Sequence, residues 1–115
     1  SFWGNILNIL HTHTEVVDSE QVKTTIFDTK KGKIELLSPS SSSSVIKKFI
    51  KNKGSGIHHV CLEVDDINHA IIKLKENNIA IINNKPKIGA EGYKIIFIHP
   101  KSTGGVLVEL AEKPK

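Results

Sequence analysis

Cysteine is almost missing from this chain: one residue in 115. A single thiol excludes an internal disulfide framework and any zinc site built from cysteines alone, so a reducing compartment is the default expectation. Aromatic residues are only 5% of the chain. The lysines are dispersed and no nucleic-acid-binding motif is present, so the net charge of +4 and pI of about 9.2 do not read as a nucleic-acid surface. No apolar run approaches the roughly 20 residues that span a bilayer, and SFWGNILNIL at the start has neither a basic n-region nor a cleavage pattern. No membrane or nucleic-acid partner is therefore expected. What is present is 38% hydrophobic and 24% charged residues, the balance of one soluble globular domain. Six histidines against one cysteine make a His/carboxylate metal site worth seeking.

The order of elements follows from periodicity. Phe2, Ile6, Ile9 and Leu10 recur at helical spacing, which predicts a short helix over residues 1–10. Residues 12–28 are rich in β-branched side chains and broken at Asp18–Ser19–Glu20, which predicts two strands. Lys30–Lys31–Gly32 reads as a turn and residues 33–39 as a third strand ended by Pro39. Ser40 to Ser44 reads as a solvated linker. Ser44 then caps a helix from Val45 to about Lys51 with Val45, Ile46, Phe49 and Ile50 as its buried side, stopped by Gly54 and Gly56.

The second half reads β-α-β-β-β. A strand spans residues 57–64, and Asp65 or Asp66 caps a helix burying Ile67, Ala70, Ile71 and Leu74. A short strand covers 79–82, a loop runs through Pro86, Gly89 and Gly92, and strands follow at 93–99 and 106–110 around a turn at 100–105. The first half reads as the same unit without its first strand and most of its helix, a difference of about 20–25 residues at typical element lengths. Each half closes on an apolar–Glu–Leu strand, at Ile34–Glu35–Leu36 and at Val108–Glu109–Leu110. The expectation is an α+β fold of paired βαβββ modules in a curved open barrel. Within a single 1–115 domain, 1–39 is the partial first module, 40–56 the Ser-rich linker and helix, and 57–115 the complete second module.

Strand alternation selects the candidate site. In IHHVCLEV, His58, Val60, Leu62 and Val64 share one face, expected to pack on a helix, while His59, Cys61 and Glu63 share the other. Glu109 lies opposite Val108 and Leu110, and Glu35 opposite Ile34 and Leu36. An imidazole and two carboxylates suit a divalent cation such as Zn²⁺, Mn²⁺ or Co²⁺ if these strands curve together. Cys61 reads as a cavity-lining residue, His58 as packed or hydrogen-bonded under a helix, His11 and His13 as edge histidines on one strand face, His69 as surface, and His99 as ordering the turn at Pro100.

GIHHVCLEVDDI, HPKSTGGVLVEL and KIELLSP, with FWGNIL, are the most specific pieces of a resemblance that covers essentially the whole chain. The chain resembles the methylmalonyl-CoA epimerases of the vicinal-oxygen-chelate (glyoxalase/bleomycin-resistance/dioxygenase) superfamily. The resemblance implies His59, Glu109 and Glu35 as metal ligands, with Glu109 also a catalytic base. The family's remaining ligand is a histidine on a strand before the first helix, and His11 and His13 do not align with it. A further glutamate base that some members carry falls near Thr24, which cannot take a proton at neutral pH. The implied reaction interconverts (2R)- and (2S)-methylmalonyl-CoA with a divalent metal (Co, Mn or Zn), an acyl-CoA substrate, a homodimer, and a cytoplasmic or mitochondrial-matrix setting. The alternative is a small-molecule binding or resistance protein on the same fold, inactive as an epimerase because the first ligand strand is absent.

Overall fold

The computed structural model describes residues 1–115. The chain divides into two compact units, Ser1–Gly56 and Ile57–Lys115, and the fold is α+β.

The first unit is a three-stranded antiparallel sheet, β1 (Leu10–Val17), β2 (Val22–Asp28) and β3 (Lys33–Pro39), in the order β1-β2-β3. The breaks at Asp18–Glu20 and at Lys30–Gly32 fall where expected. Each is closed locally: Glu20 N–H donates to Val17 O at 3.2 Å, and Lys30 N–H to Asp28 Oδ1 at 2.7 Å. Helix at the N-terminus is shorter than the spacing predicts, one π-helical turn over Phe2–Ile6 with Ser1 Oγ capping Gly4 N–H at 3.1 Å. Asn8, at φ 57°, turns the backbone out of helix, and Leu10 already belongs to the ladder. Val22, Thr24 and Ile26 form a buried stripe on β2, while Phe27 is buried on its other face.

The serine run is not a free linker. Ser41 and Ser43 hydroxyls both donate to Gln21 Oε1 at 2.6 Å, and Ser40 N–H donates to Gln21 O at 2.9 Å. Ser40 to Ser43 stay at the surface but the run is tied to the β1–β2 turn, and Ser44 is buried. Ser44 caps α1 (Val45–Lys53), as expected, by accepting from Ile46 N–H at 3.2 Å. Of the four apolar positions expected to be buried, only Ile46 is; Phe49 is half-buried, and Val45 and Ile50 are exposed. A nine-residue helix packed on β3 covers a narrower stripe than its sequence offers.

The second unit is the β-α-β-β-β arrangement: β4 (Val60–Glu63), α2 (Ile67–Glu76), β5 (Lys87–Ile88), β6 (Lys94–Ile98) and β7 (Val108–Glu112). Its sheet order is β4-β7-β6-β5, with β4 parallel to β7 and the other pairs antiparallel. α2 starts at Asp66, whose carboxylate accepts from His69 N–H at 3.1 Å. Its Ile67 and Ile71 pack on Ile96, Ile98 and Leu110, with Ala70 and Leu74 at the margin. This is the stripe the periodicity selects.

Three strand boundaries differ from expectation. Residues 79–82 make only one bridge, Ile81 to Ile98, although Ile82 N–H still donates to Phe97 O at 2.8 Å. The Asn83 side chain then takes over, its Oδ1 accepting from Phe97 N–H at 2.9 Å, and Pro86 has no N–H to offer a ladder. The pairing with β6 resumes at Lys87–Ile88, where Gly89 leaves the room that Ile95 fills: a Cβ there would lie 2.8 Å from its Cδ1. The last strand begins at Val108, two residues late, after the left-handed Gly104 and Gly105. The first strand begins at Val60, so His58 and His59 precede it. Val60 and Leu62 are 46% and 55% exposed rather than packed on a helix, because α2 spends its apolar stripe on β6 and β7 and only Val64 reaches that core.

Candidate metal centre

Two of the three expected ligand residues meet in the second unit. β7 places Glu109 between Cys61 of β4 and Phe97 of β6, so all three share one sheet face. His59, two residues before Cys61 along the extended chain, joins that face. Its Nε2 lies 2.8 Å from Glu109 Oε1, and the two side chains are 14% and 12% exposed. The Phe97 ring meets His59 edge-on, with centroids 5.5 Å apart and planes at 81°. On its other side His59 Nδ1 is 2.9 Å from His58 Nδ1, with the two rings at 89°. Burial, reinforced by the neighbouring His59, holds His58 below the ordinary imidazole value, while the Glu109 carboxylate pulls the other way. His58 is thus bonded to the candidate ligand, not tucked under a helix.

The donor set of one imidazole nitrogen and one carboxylate oxygen is that of zinc, manganese or cobalt sites. The spacing also fits. Cis ligand atoms about 2.1 Å from one ion lie about 3.0 Å apart, close to the 2.8 Å between this pair. Within this unit no group of three or more His, Cys, Asp or Glu is arranged to hold an ion; His59 and Glu109 form a pair.

Glu35 lies in the first unit, on β3, opposite Ile26 of β2. On that face the register also aligns Glu15 of β1 with Thr24 of β2. Thr24 is 1% exposed, so a buried hydroxyl occupies this position of β2. Glu15, half-buried and 3.1 Å from His13 Nε2, is a carboxylate that sequence reading passed over. The signal was its period-two spacing from Val17 and His13. His11 and His13 do not share a face: a bulge between them sets His11 opposite Phe27 and His13 opposite Ile26, which point to opposite sides of β2. The His11 ring accordingly sits 5.5 Å from that of Phe27. Cys61 is exposed on β4, beside Glu109. His69 is on the surface of α2, and His99 orders its turn by accepting Lys101 N–H on Nδ1 at 3.0 Å.

The β-α-β-β-β order of the second unit defines a class of fold, and comparison agrees. Residues 1–97 match the Glyoxalase/Bleomycin resistance protein/Dioxygenase superfamily, and the chain belongs to that family. It is 57% identical over 82 residues to the mitochondrial methylmalonyl-CoA epimerase of Dictyostelium discoideum, covering 70% of this chain and 49% of that one. It is 41% identical over 113 residues to the mitochondrial methylmalonyl-CoA epimerase of Homo sapiens, covering 97% of this chain and 64% of that one. The chain thus spans between about half and two thirds of the length of these relatives. Among solved structures, the Streptomyces coelicolor methylmalonyl-CoA epimerase in complex with 2-nitronate-propionyl-CoA superposes with a TM-score of 0.90 at 27% identity, covering 99% of this chain and 86% of the other.

Proposed function

We propose that this chain carries the methylmalonyl-CoA epimerase reaction, with His59 and Glu109 as ligands of a divalent cation (cobalt, manganese or zinc) and Glu109 also as a base. The observation that supports it most is the buried 2.8 Å His59–Glu109 pair, at the positions the family resemblance selects. The ligand role of Glu35 rests on strand alternation and on that resemblance. The cation, when bound, stabilises the negative oxygen that develops on the thioester as the α-proton leaves.

The chain's own work is to hold and move a proton. The α-carbon of methylmalonyl-CoA lies between a thioester carbonyl and a carboxylate, so loss of its proton delocalises the electron pair onto oxygen. A Glu109 carboxylate oxygen accepts that proton, and reprotonation from the opposite face inverts the centre. Phe97 and the neighbouring sheet limit water around the pair, which strengthens its electrostatic interactions. The net charge of +4 suits a ligand bearing CoA phosphates. No helix is long and apolar enough to cross a membrane. The proposal further takes the protein to be a homodimer in the cytoplasm or the mitochondrial matrix.

The experiment is solvent deuterium exchange into methylmalonyl-CoA, followed by mass spectrometry, with the metal removed and then restored as Co²⁺, Mn²⁺ or Zn²⁺. Metal-dependent exchange that is lost in Glu109→Gln is the expected result. Binding of acyl-CoA with no exchange under any metal would overturn the proposal in favour of a binding module on the same fold.

A further inference from the structure

His59 is held through both ring nitrogens, and its two partners differ in kind. Glu109, on Nε2, is a carboxylate that accepts when ionised. His58, on Nδ1, is an imidazole nitrogen that donates or accepts according to where its own proton sits. A histidine that binds a metal ordinarily gives its second N–H to a carbonyl or carboxylate, which accepts only and locks one tautomer. Either ring can be the donor in the 2.9 Å Nδ1–Nδ1 bond, and reversing it passes the shared proton from His58 Nδ1 to His59 Nδ1 while His59 Nε2 releases a proton to solvent and His58 Nε2 takes one up.

Two arrangements use the same number of protons. In the first, neutral His59 carries its proton on Nε2 and donates it to Glu109, while its Nδ1 accepts from His58 Nδ1–H. In the second, His59 Nε2 presents a lone pair, its proton is on Nδ1 and is donated to His58 Nδ1, and the proton of His58 is on Nε2. The perpendicular packing of His58 and Phe97 against the His59 ring keeps its orientation the same in both.

We propose that His58 is a positioning residue, whose reversible Nδ1–Nδ1 hydrogen bond lets His59 offer either a proton to Glu109 or a lone pair to a divalent cation from one ring orientation. The inference rests on the metal-binding reading of His59 and Glu109. It adds the residue that makes the pair stable empty and competent to load.

The test uses the full chain with ¹⁵N-labelled histidine and long-range imidazole nitrogen–proton spectra at pH 8, metal-free and with Zn²⁺. The expected result is that His59 changes from the Nε2–H to the Nδ1–H tautomer on adding Zn²⁺, with His58 changing reciprocally. His58→Asn, whose amide can donate or accept near the Nδ1 position, is expected to keep the His59 change. His58→Phe is expected to lose the single metal-free tautomer and to bind Zn²⁺ about tenfold more weakly. A His58 ring that keeps one tautomer while His59 changes overturns the inference, as does His58→Phe binding Zn²⁺ within twofold of the unaltered protein. If the unaltered protein binds no Zn²⁺, the proposed metal centre falls and the inference falls with it, whereas Zn²⁺ binding without a change at His58 overturns the inference and leaves the metal centre standing.

Discussion

Glu109→Gln separates the structural and chemical roles of the central pair. Glutamine keeps the shape and one acceptor oxygen but removes the charge. In the metal-free protein His59 donates to a carboxylate at 2.8 Å with both side chains mostly buried. A hydrogen bond to a charged group contributes about 1.5–3 kcal/mol and a neutral one about 0.5–1.5, so the fold should lose about 1 kcal/mol. For a chain of this size that is about 4 °C in Tm. Metal binding should suffer far more. Partners one step removed from an ion already change affinity about 10- to 100-fold, so replacing a ligating carboxylate should cost at least about a hundredfold, or about 2.7 kcal/mol. Deuterium exchange should fall by about 10²–10⁴ if Glu109 is a base. The assays are thermal unfolding without metal, Zn²⁺ or Co²⁺ titration, and mass-spectrometric exchange. A variant that keeps its metal affinity within threefold would refute the ligand assignment. One that melts far below about 4 °C of loss would show that the pair serves the fold first.

Three further outcomes follow from the second unit. Glu112 is buried and accepts the first N–H of α2, from Ile67, at 2.8 Å; Glu112→Ala leaves that donor unpaired and should cost about 1–3 kcal/mol in urea unfolding, with Glu112→Gln costing less. Ile96 is fully buried under α2, so Ile96→Ala should cost about 2–5 kcal/mol, whereas Ile82→Ala, 56% exposed, should stay within about 0.5. His58 is held below its ordinary value of 6.5, so as the pH falls through 6.5 the unfolded chain takes up a proton that the native side chain still refuses. Its contribution to stability is thus complete above 6.5 and declines below it. Urea midpoints between pH 8 and 5 should show this component in the native sequence and lack it in His58→Asn.

Much of the fold was readable because its signals are local. Ser44 and Asp66 cap their helices, Pro39 ends β3, and Ile67, Ile71 and Leu74 recur at the helical period, each through contacts within a few residues. The candidate pair was readable for the same reason, since strand alternation assigns His59, Cys61 and Glu109 their faces without knowledge of the neighbours. The bulge between His11 and His13 was not, because an extra residue against β2 is a property of two strands together. Nor was the exposure of Val60 and Leu62, which depends on where α2 spends its apolar face.

The sequence by itself determined the element order, the capping and the residue types a metal would need, since these depend on period, backbone freedom and donor chemistry. Tertiary structure alone decided where the ladders begin and end, that Gln21 gathers the serines, that Thr24 is buried beside Glu15, and that His58 turns its Nδ1 onto His59. Those outcomes rest on hydrogen bonds and packing between residues far apart in the chain or free to rotate, where no local preference selects the partner.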